Sequence, residues 1–136
     1  MANLFHLVIL TPYGRYYDDM VEFLEVHSDK YSLGILANHA PLVSTLVISK
    51  MKIRSKVSES KYAIGGGVIN ITKEQVTLVL DSIERSDEID VDRAKEAKKR
   101  AEERLEASKN DDTIDVARAK LALLRAMNRL SVCSKD

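Results

Sequence analysis

The sequence predicts an α+β protein in two parts, an antiparallel β-sandwich over residues 1–86 and an antiparallel two-helix hairpin over residues 87–136. Short segments before residue 86 alternate between apolar and polar positions with a period of two, which is typical of half-buried strands. After Asp87 glycine and proline disappear, and Ala, Glu, Lys, Arg and Leu dominate. A polar stretch at residues 108–112 divides this second part, and two helices joined by so short a turn run antiparallel.

The composition bounds what the chain can bind. Its 136 residues allow one ordinary domain, or a small domain with an appendage. Lys+Arg and Asp+Glu are both 21, so no net field attracts nucleic acid or an anionic membrane. Cys133 is the single cysteine, which excludes a disulfide framework and fits a reducing compartment. No signal-peptide pattern or membrane-length apolar run is evident, and we expect a soluble chain.

The strand candidates lie between turn signals. They are residues 4–10, 20–26, 50–57, 62–64 and 75–81. Met51, Ile53 and Val57 alternate with basic residues and are expected to face inward. Residues 65–67 are three consecutive glycines, and we expect them to form a turn between strands with positive φ. A phosphate-binding loop is not expected there, because no Lys-Ser/Thr pair follows the glycines.

Alanine spacing indicates how the two helices meet. The repeating positions are Ala94, Ala97, Ala101 and Leu105 on the first helix, and Ala119, Ala122, Ala126 and Leu130 on the second. Small side chains allow close approach of two helices but bury little apolar area. We therefore expect the hairpin to be held weakly, either to itself or to the sandwich.

An internal repeat aligns arginines along both helices. The segment Ile-Asp-Val-Asp-Arg-Ala-Lys at residues 89–95 returns as Ile-Asp-Val-Ala-Arg-Ala-Lys at residues 114–120. The aligned arginines are Arg93, Arg100 and Arg104 on the first helix, and Arg118, Arg125 and Arg129 on the second. Those of the first helix have glutamates nearby and suit either a solvated face or a ligand. No acidic residue lies between Asp115 and Asp136, which favours an external anion at the second helix, either phosphate or a partner's carboxylates.

Three segments resemble one family over nearly the whole chain. They are Leu-Gly-Ile-Leu-Ala-Asn-His-Ala-Pro-Leu at residues 33–42, Tyr-Ala-Ile-Gly-Gly-Gly-Val at 62–68, and Asp-Ser-Ile-Glu-Arg at 81–85 running into Ile-Asp-Val-Asp-Arg-Ala at 89–94. In this order, with strands before an alanine-rich hairpin, they are similar to the ε subunit of the bacterial F-type ATP synthase. The resemblance implies a sandwich that docks on the γ subunit and the c-ring and helps couple proton flow to rotation.

The same resemblance implies a regulatory hairpin, with ATP as a ligand rather than a substrate and no metal required. In the family the hairpin restrains ATP hydrolysis, and it either folds against the sandwich or extends toward the catalytic α/β subunits. Some bacterial members bind ATP in the folded state. The residues that match the family's ATP contacts are Glu84, Ile89, Asp90, Arg93, Ala94, Arg125 and Arg129.

Partner contacts also follow from the resemblance. Ser32 ends the loop that faces the c-ring in the family, and Asp-Lys-Tyr-Ser at residues 29–32 lacks the glycine that the family often carries there. His39 is implied at a partner surface, and Arg118 is expected to meet acidic residues of a catalytic subunit. The implied location is peripheral, at the cytoplasmic face of the cell membrane, and is reached only through the complex.

The sequence does not support an enzymatic, metal-binding or nucleic-acid-binding role. It has no P-loop, no nucleophile elbow and no cluster of metal ligands, so no catalytic residue is expected. The basic strand face at residues 50–56 lacks the stacking aromatics of a nucleic-acid surface. Two alternatives stay open: a purely structural coupling subunit that binds no nucleotide, and a free-standing sandwich-plus-hairpin adaptor.

Overall fold

The computed structural model describes residues 3–133 and divides the chain into two compact units, one up to Arg85 and one from Ser86 onward. The first unit contains the strands β1 (Phe5–Thr11), β2 (Gly14–Val21), β3 (Phe23–His27), β4 (Ser32–Ile35), β5 (Leu42–Arg54), β6 (Glu59–Ile71), β7 (Val76–Leu80) and β8 (Ile83–Arg85). The second contains a single 3₁₀ turn (Ser86–Glu88) and the helices α1 (Val91–Ala107) and α2 (Val116–Cys133).

The strands form a β-sandwich whose two layers share one long hairpin. The strand order is β2-β1-β7-β6-β5-β3-β4, and β8 also pairs with β6. β7 pairs with residues 67–71 of β6, whereas β8 pairs with residues 62–64 and β3 pairs with residues 52–54 of β5. The β5–β6 hairpin therefore passes through both layers. All pairings are antiparallel except that of β1 with β7, which is parallel. The sequence analysis did not predict this parallel pair.

The three glycines do not form a turn between strands, as the sequence analysis expected, but lie inside β6. Gly66 and Gly67 have φ of 96° and 156°, so the expectation of positive φ is confirmed for these two and not for Gly65. A Cβ atom on Gly67 would collide with the carbonyl oxygen of Val79 on the neighbouring strand. The glycines thus let β6 bend from one layer to the other while β7 approaches its backbone closely.

The core confirms most of the predicted alternation. Val76, Leu78 and Leu80 of β7 are all buried, as are Met51 and Ile53 of β5.

Two details of the strand prediction are wrong. Val57 is 92% exposed, because residues 55–58 form a turn in which the Ser55 N–H donates to the Ser58 carbonyl at 2.8 Å. The candidate strand at residues 20–26 is divided between β2 and β3 at Glu22, whose N–H donates to the Arg54 carbonyl. In both cases a backbone hydrogen bond ends or divides a strand although the apolar pattern of the sequence continues.

The second unit is the predicted two-helix hairpin. α1 and α2 contact each other, and the buried helical positions are Ala94, Ala101, Ala119, Ala126 and Val132. Ala122 is exposed rather than buried, and Leu123 is half-buried in its place. The α2 seam therefore follows steps of four, three and four residues from Ala119. Within residues 3–133, neither helix has the length and apolarity to cross a membrane.

Candidate functional site

The first candidate site is the start of α1, where the Ile-Asp-x-x-Arg-Ala motif lies. The Asp90 Oδ1 atom accepts a hydrogen bond from the backbone N–H of Arg93 at 3.1 Å. The carbonyl of Asp90 accepts from the N–H of Ala94 at 3.0 Å, which closes the first helical turn. Asp90 is thus the N-cap of α1, and its carboxylate satisfies a backbone donor that would otherwise lack a partner.

The same geometry recurs at the start of α2. The Asp115 Oδ1 atom accepts from the backbone N–H of Arg118 at 3.1 Å, and the Asp115 carbonyl accepts from the N–H of Ala119 at 3.1 Å. The internal repeat therefore encodes two equivalent helix starts. Capping alone explains the aspartate in both copies, but not the arginine, because the arginine contributes only its backbone N–H to the cap.

The side chains predicted to contact ATP differ in exposure. Ile89 is buried and Arg93 is exposed beside the capped helix start. Arg125 is exposed and Arg129 half-buried on α2, four residues apart and hence about one helical turn apart. Glu84 is half-buried in β8 of the first unit, where it pairs with Ala63 of β6.

All charged side chains of α2 are basic. The helix carries Arg118, Lys120, Arg125 and Arg129 and no acidic residue. Within residues 3–133, the guanidinium groups of Arg93, Arg118 and Arg125 form no ion pair with the protein. These exposed arginines can therefore bind an anion without first breaking an intramolecular contact.

The second candidate site is a cavity at one end of the sandwich. It encloses about 330 Å³ between the loop that contains His39 and the turn that joins β6 to β7. The His39 ring is half-buried, and its Nδ1 donates to the Ala40 carbonyl at 2.7 Å, which leaves Nε2 for another contact. Pro41, Leu36 and Phe5 contribute apolar walls.

The turn that the resemblance assigns to the c-ring is held by a buried serine. The Ser28 hydroxyl accepts from the N–H groups of Lys30 and Tyr31 and donates to the Tyr31 carbonyl at 3.2 Å. No residue of this turn has positive φ, so glycine is not required here. Ser32 is exposed at the end of the turn, and its hydroxyl lies 2.8 Å from Nδ1 of His27.

A surface that the sequence analysis missed covers one side of the sandwich. The residues of β5, β6 and β7 that face away from the core form what we call the outer face: Val43, Thr45, Val68, Asn70, Thr77 and Val79. None of the six is charged. Val43, Val68 and Val79 are 68%, 41% and 52% exposed, and Val68 pairs directly with Val79. Val68 and Val79 thus form a contiguous, uncharged and partly apolar surface, which makes this face a candidate interaction site.

Charged residues border the outer face on its β1–β2 side. His6 Nε2 lies 2.5 Å from Asp18, and Arg15 donates to the other oxygen of Asp18 at 2.9 Å. The hydrogen bond with His6, followed by the charges of His6 and Arg15, lowers the pKa of the Asp18 carboxyl below its usual value. The border thus stays charged around an uncharged centre, an arrangement common in protein interfaces.

No metal-binding cluster occurs in the described part of the chain, since no three His, Cys, Asp or Glu side chains converge there. The described residues offer two kinds of candidate site: arginines beside capped helix starts, and an uncharged sheet face with an adjacent cavity.

A β-sandwich followed by a helical hairpin defines a class of two-domain proteins, and comparison with known proteins identifies the family. Residues 4–86 match the family model for the β-sandwich domain of the ATP synthase delta/epsilon chain, and residues 87–134 match its long α-helix domain. The chain is 44% identical to the ATP synthase epsilon chain of Alkaliphilus oremlandii over 108 residues, which covers 79% of this chain and 81% of the relative. The chain therefore belongs to the ATP synthase delta/epsilon family, among the bacterial ε chains.

Further relatives agree with this assignment. The epsilon chain of Bacillus pumilus is 44% identical over 97 residues, covering 71% of this chain and 74% of the relative. A chain of the Euglena gracilis mitochondrial ATP synthase has the same fold, with a TM-score of 0.83 at 16% identity, over 96% of this chain and 82% of that one. The predicted resemblance and fold class are confirmed.

Proposed function

We propose that this ε chain is a central-stalk regulator of ATP synthase. The sandwich docks on the γ subunit and the c-ring, and the hairpin restrains ATP hydrolysis by reaching the α/β catalytic subunits. ATP binds the folded hairpin and favours that non-inhibitory state. The chain is non-catalytic and lies at the cytoplasmic face of the membrane only through the complex.

The outer face supports the docking of the sandwich. Covering Val43, Val68 and Val79 with another protein is favourable, since each of these exposed apolar side chains loses contact with water. The border of His6 and Asp18 would orient that partner. We assign the outer face to the γ subunit, and the adjacent His39 cavity and Ser32 turn to the contacts with γ and the c-ring.

The observation that carries the ATP proposal is the unbalanced charge of α2. Arg125 lies with other basic residues on a helix without a carboxylate, so bringing Arg93 and Arg125 to one ligand costs charge repulsion unless an anion joins them. A triphosphate supplies that anion, and guanidinium groups bind phosphate oxygens with two parallel hydrogen bonds. Arg118, equally exposed, remains for carboxylates of a catalytic subunit.

ATP can regulate the hairpin if it binds the folded state more tightly than the extended state. A ligand shifts a two-state equilibrium only by its difference in affinity for the two states. The hairpin buries mostly alanines, so little apolar area opposes its opening. ATP bound to the folded form would therefore change the population of that form strongly.

A purely structural coupling subunit is the second candidate. The observation that favours it is the capping role of Asp90, which Asp115 repeats in the second copy of the motif. If folding alone accounts for the motif, no nucleotide is required. Both candidates predict the same docking of the sandwich and differ in whether the hairpin binds nucleotide and restrains hydrolysis.

Reconstituted ATP synthase distinguishes the two. Hydrolysis is measured with the full chain and with a chain truncated after Glu88, at low and high ATP. We expect both chains to assemble, and only the full chain to inhibit, more strongly when ATP is scarce. Equal hydrolysis with both chains would leave the structural candidate, and failure of the truncated chain to assemble would contradict docking through the sandwich alone.

A further inference from the structure

We propose that the outward edge of β2 is a latent pairing surface for a second copy of this chain, and that Asp19 keeps it from pairing. Among the described strands, β2 lies at one end of the strand order and pairs with β1 alone. Its other edge, which we call the free edge, presents backbone groups that a strand of another molecule can extend. The inference is independent of the function proposed above, because its test uses the free chain without nucleotide or partner subunit.

The Asp19 side chain covers part of the free edge. Its Oδ1 atom accepts a hydrogen bond from the backbone N–H of Met20 at 2.8 Å. In an antiparallel pair, the backbone groups of alternate residues point toward the partner strand, and those of the residues between them point away. Because the Met20 N–H bonds to a side chain instead of β1, it belongs to the set that points away. The carboxylate thus takes the hydrogen bond that a carbonyl of an added strand would otherwise accept.

Charge opposes the same pairing. Residues 18 and 20 carry the outward backbone groups, and an antiparallel pair of two β2 strands places such residues opposite each other. If residue 18 faces residue 20, Asp19 faces the same aspartate of the second copy. If residue 18 faces residue 18, two copies of Asp18 meet, and if residue 20 faces residue 20, Asp18 meets Glu22. Each register therefore opposes two carboxylates, and like charges directly opposite destabilise a strand pair.

A bulge limits the part of β2 that can pair. The register between β1 and β2 shifts after Ile9, so Tyr16 has no partner in β1. The Tyr16 ring instead contacts the ring of Tyr62 edge-on, with the two centroids 6.4 Å apart. Bulges twist an edge and interrupt its regular ladder. The regular stretch available to a second copy is therefore residues 17–21, with Asp19 at its centre.

Asp19→Val should remove both obstacles. It leaves the Met20 N–H without its acceptor and sets two β-branched side chains opposite each other at the centre of one register. In that register Asp18 lies opposite Met20 of the second copy, and no carboxylates oppose each other. His6 and Arg15 already contact the Asp18 carboxylate, at 2.5 and 2.9 Å. We therefore expect this variant to dimerise by joining two β2 strands.

Sedimentation of the full chain over a range of concentrations tests the inference. Asp19→Val and Asp19→Ala both remove the acceptor and the charge, and each should lower the dissociation constant of the dimer by about tenfold or more relative to the wild type. Asp29→Val is the matched control, because it makes the same change at an exposed turn position. It should sediment as the wild type does, and tyrosine fluorescence checks that each variant is folded.

Hydrogen exchange locates the contact. In the dimer, peptides from β2 should gain protection, whereas those from β4, at the other end of the strand order, should not. Unchanged sedimentation of both folded Asp19 variants would overturn the proposal. So would equal dimerisation of Asp29→Val, or a dimer in which β2 gains no protection.

Discussion

Asp90 caps α1 by accepting a hydrogen bond from the backbone N–H of Arg93 at 3.1 Å, so these two residues of the candidate ATP motif also form a structural unit. Asp90→Ala removes the cap and should destabilise the hairpin by about 1 kcal/mol, whereas Asp90→Asn keeps an acceptor oxygen and should change little. Thermal unfolding followed by far-ultraviolet circular dichroism measures both. Equal losses in the two variants would show that charge, not capping, is what Asp90 supplies.

The close approach of β7 to Gly67 gives a prediction for the sandwich. Gly67→Ala places a Cβ against the Val79 carbonyl and should destabilise the sandwich by about 1–3 kcal/mol or more. The chain has no tryptophan, and its five tyrosines all precede residue 63, so tyrosine fluorescence in denaturant reports the sandwich alone. Gly14→Ala is the control, because open space surrounds that position, although its φ of 116° adds some strain. Equal midpoints for the wild type and Gly67→Ala would contradict the bend in β6.

The outer face predicts a selective loss of assembly. Val79→Asp puts a charge on this face beside Val68, and we expect binding to the γ subunit to weaken at least tenfold, since the carboxylate would lose its water in the interface. Val57→Asp is the matched control, at a position that is 92% exposed in a turn. Pull-down with γ, with tyrosine fluorescence confirming the fold, measures both. Equal retention of the two variants would place the γ contact elsewhere.

Acid should loosen the α1–α2 connection through Asp111. Hydrogen bonds from Thr113 lower the pKa of the Asp111 carboxyl below its usual value. Its contribution to stability is therefore complete above the unfolded-state pKa, about 3.9, and disappears as pH falls through the lower folded-state pKa. Asp111→Asn keeps an acceptor but does not titrate, so it should become relatively more stable than the wild type below about pH 4. Parallel acid dependence of both melting temperatures would contradict this.

The sequence predicted those features that depend on local patterns. The alternation of Val76, Leu78 and Leu80 specified β7, and the absence of glycine and proline after Asp87 specified the helices. The bend at residues 65–67 was misjudged because glycine marks turns and strand bends alike.

The candidate sites were likewise predicted only in part. The sequence motif predicted Asp90 and Arg93 as site residues, whereas the outer face was not predicted. Val68 and Val79 alternate with buried residues, and a single strand does not reveal which side another strand layer covers. That information arises only from the pairing of β5, β6 and β7.

Calorimetric titration of the full chain with ATP tests the central claim most directly, with Arg93→Ala and Arg125→Ala as test variants and Lys120→Ala as the matched control on α2. We expect saturable binding at one site, unaffected by Lys120→Ala. Each arginine variant should bind about 10- to 100-fold more weakly, because a hydrogen bond to a charged group contributes about 1.5–3 kcal/mol. No binding at millimolar ATP, or equal affinity in all four proteins, would contradict the ATP-sensing hairpin and leave its arginines as contacts for partner subunits.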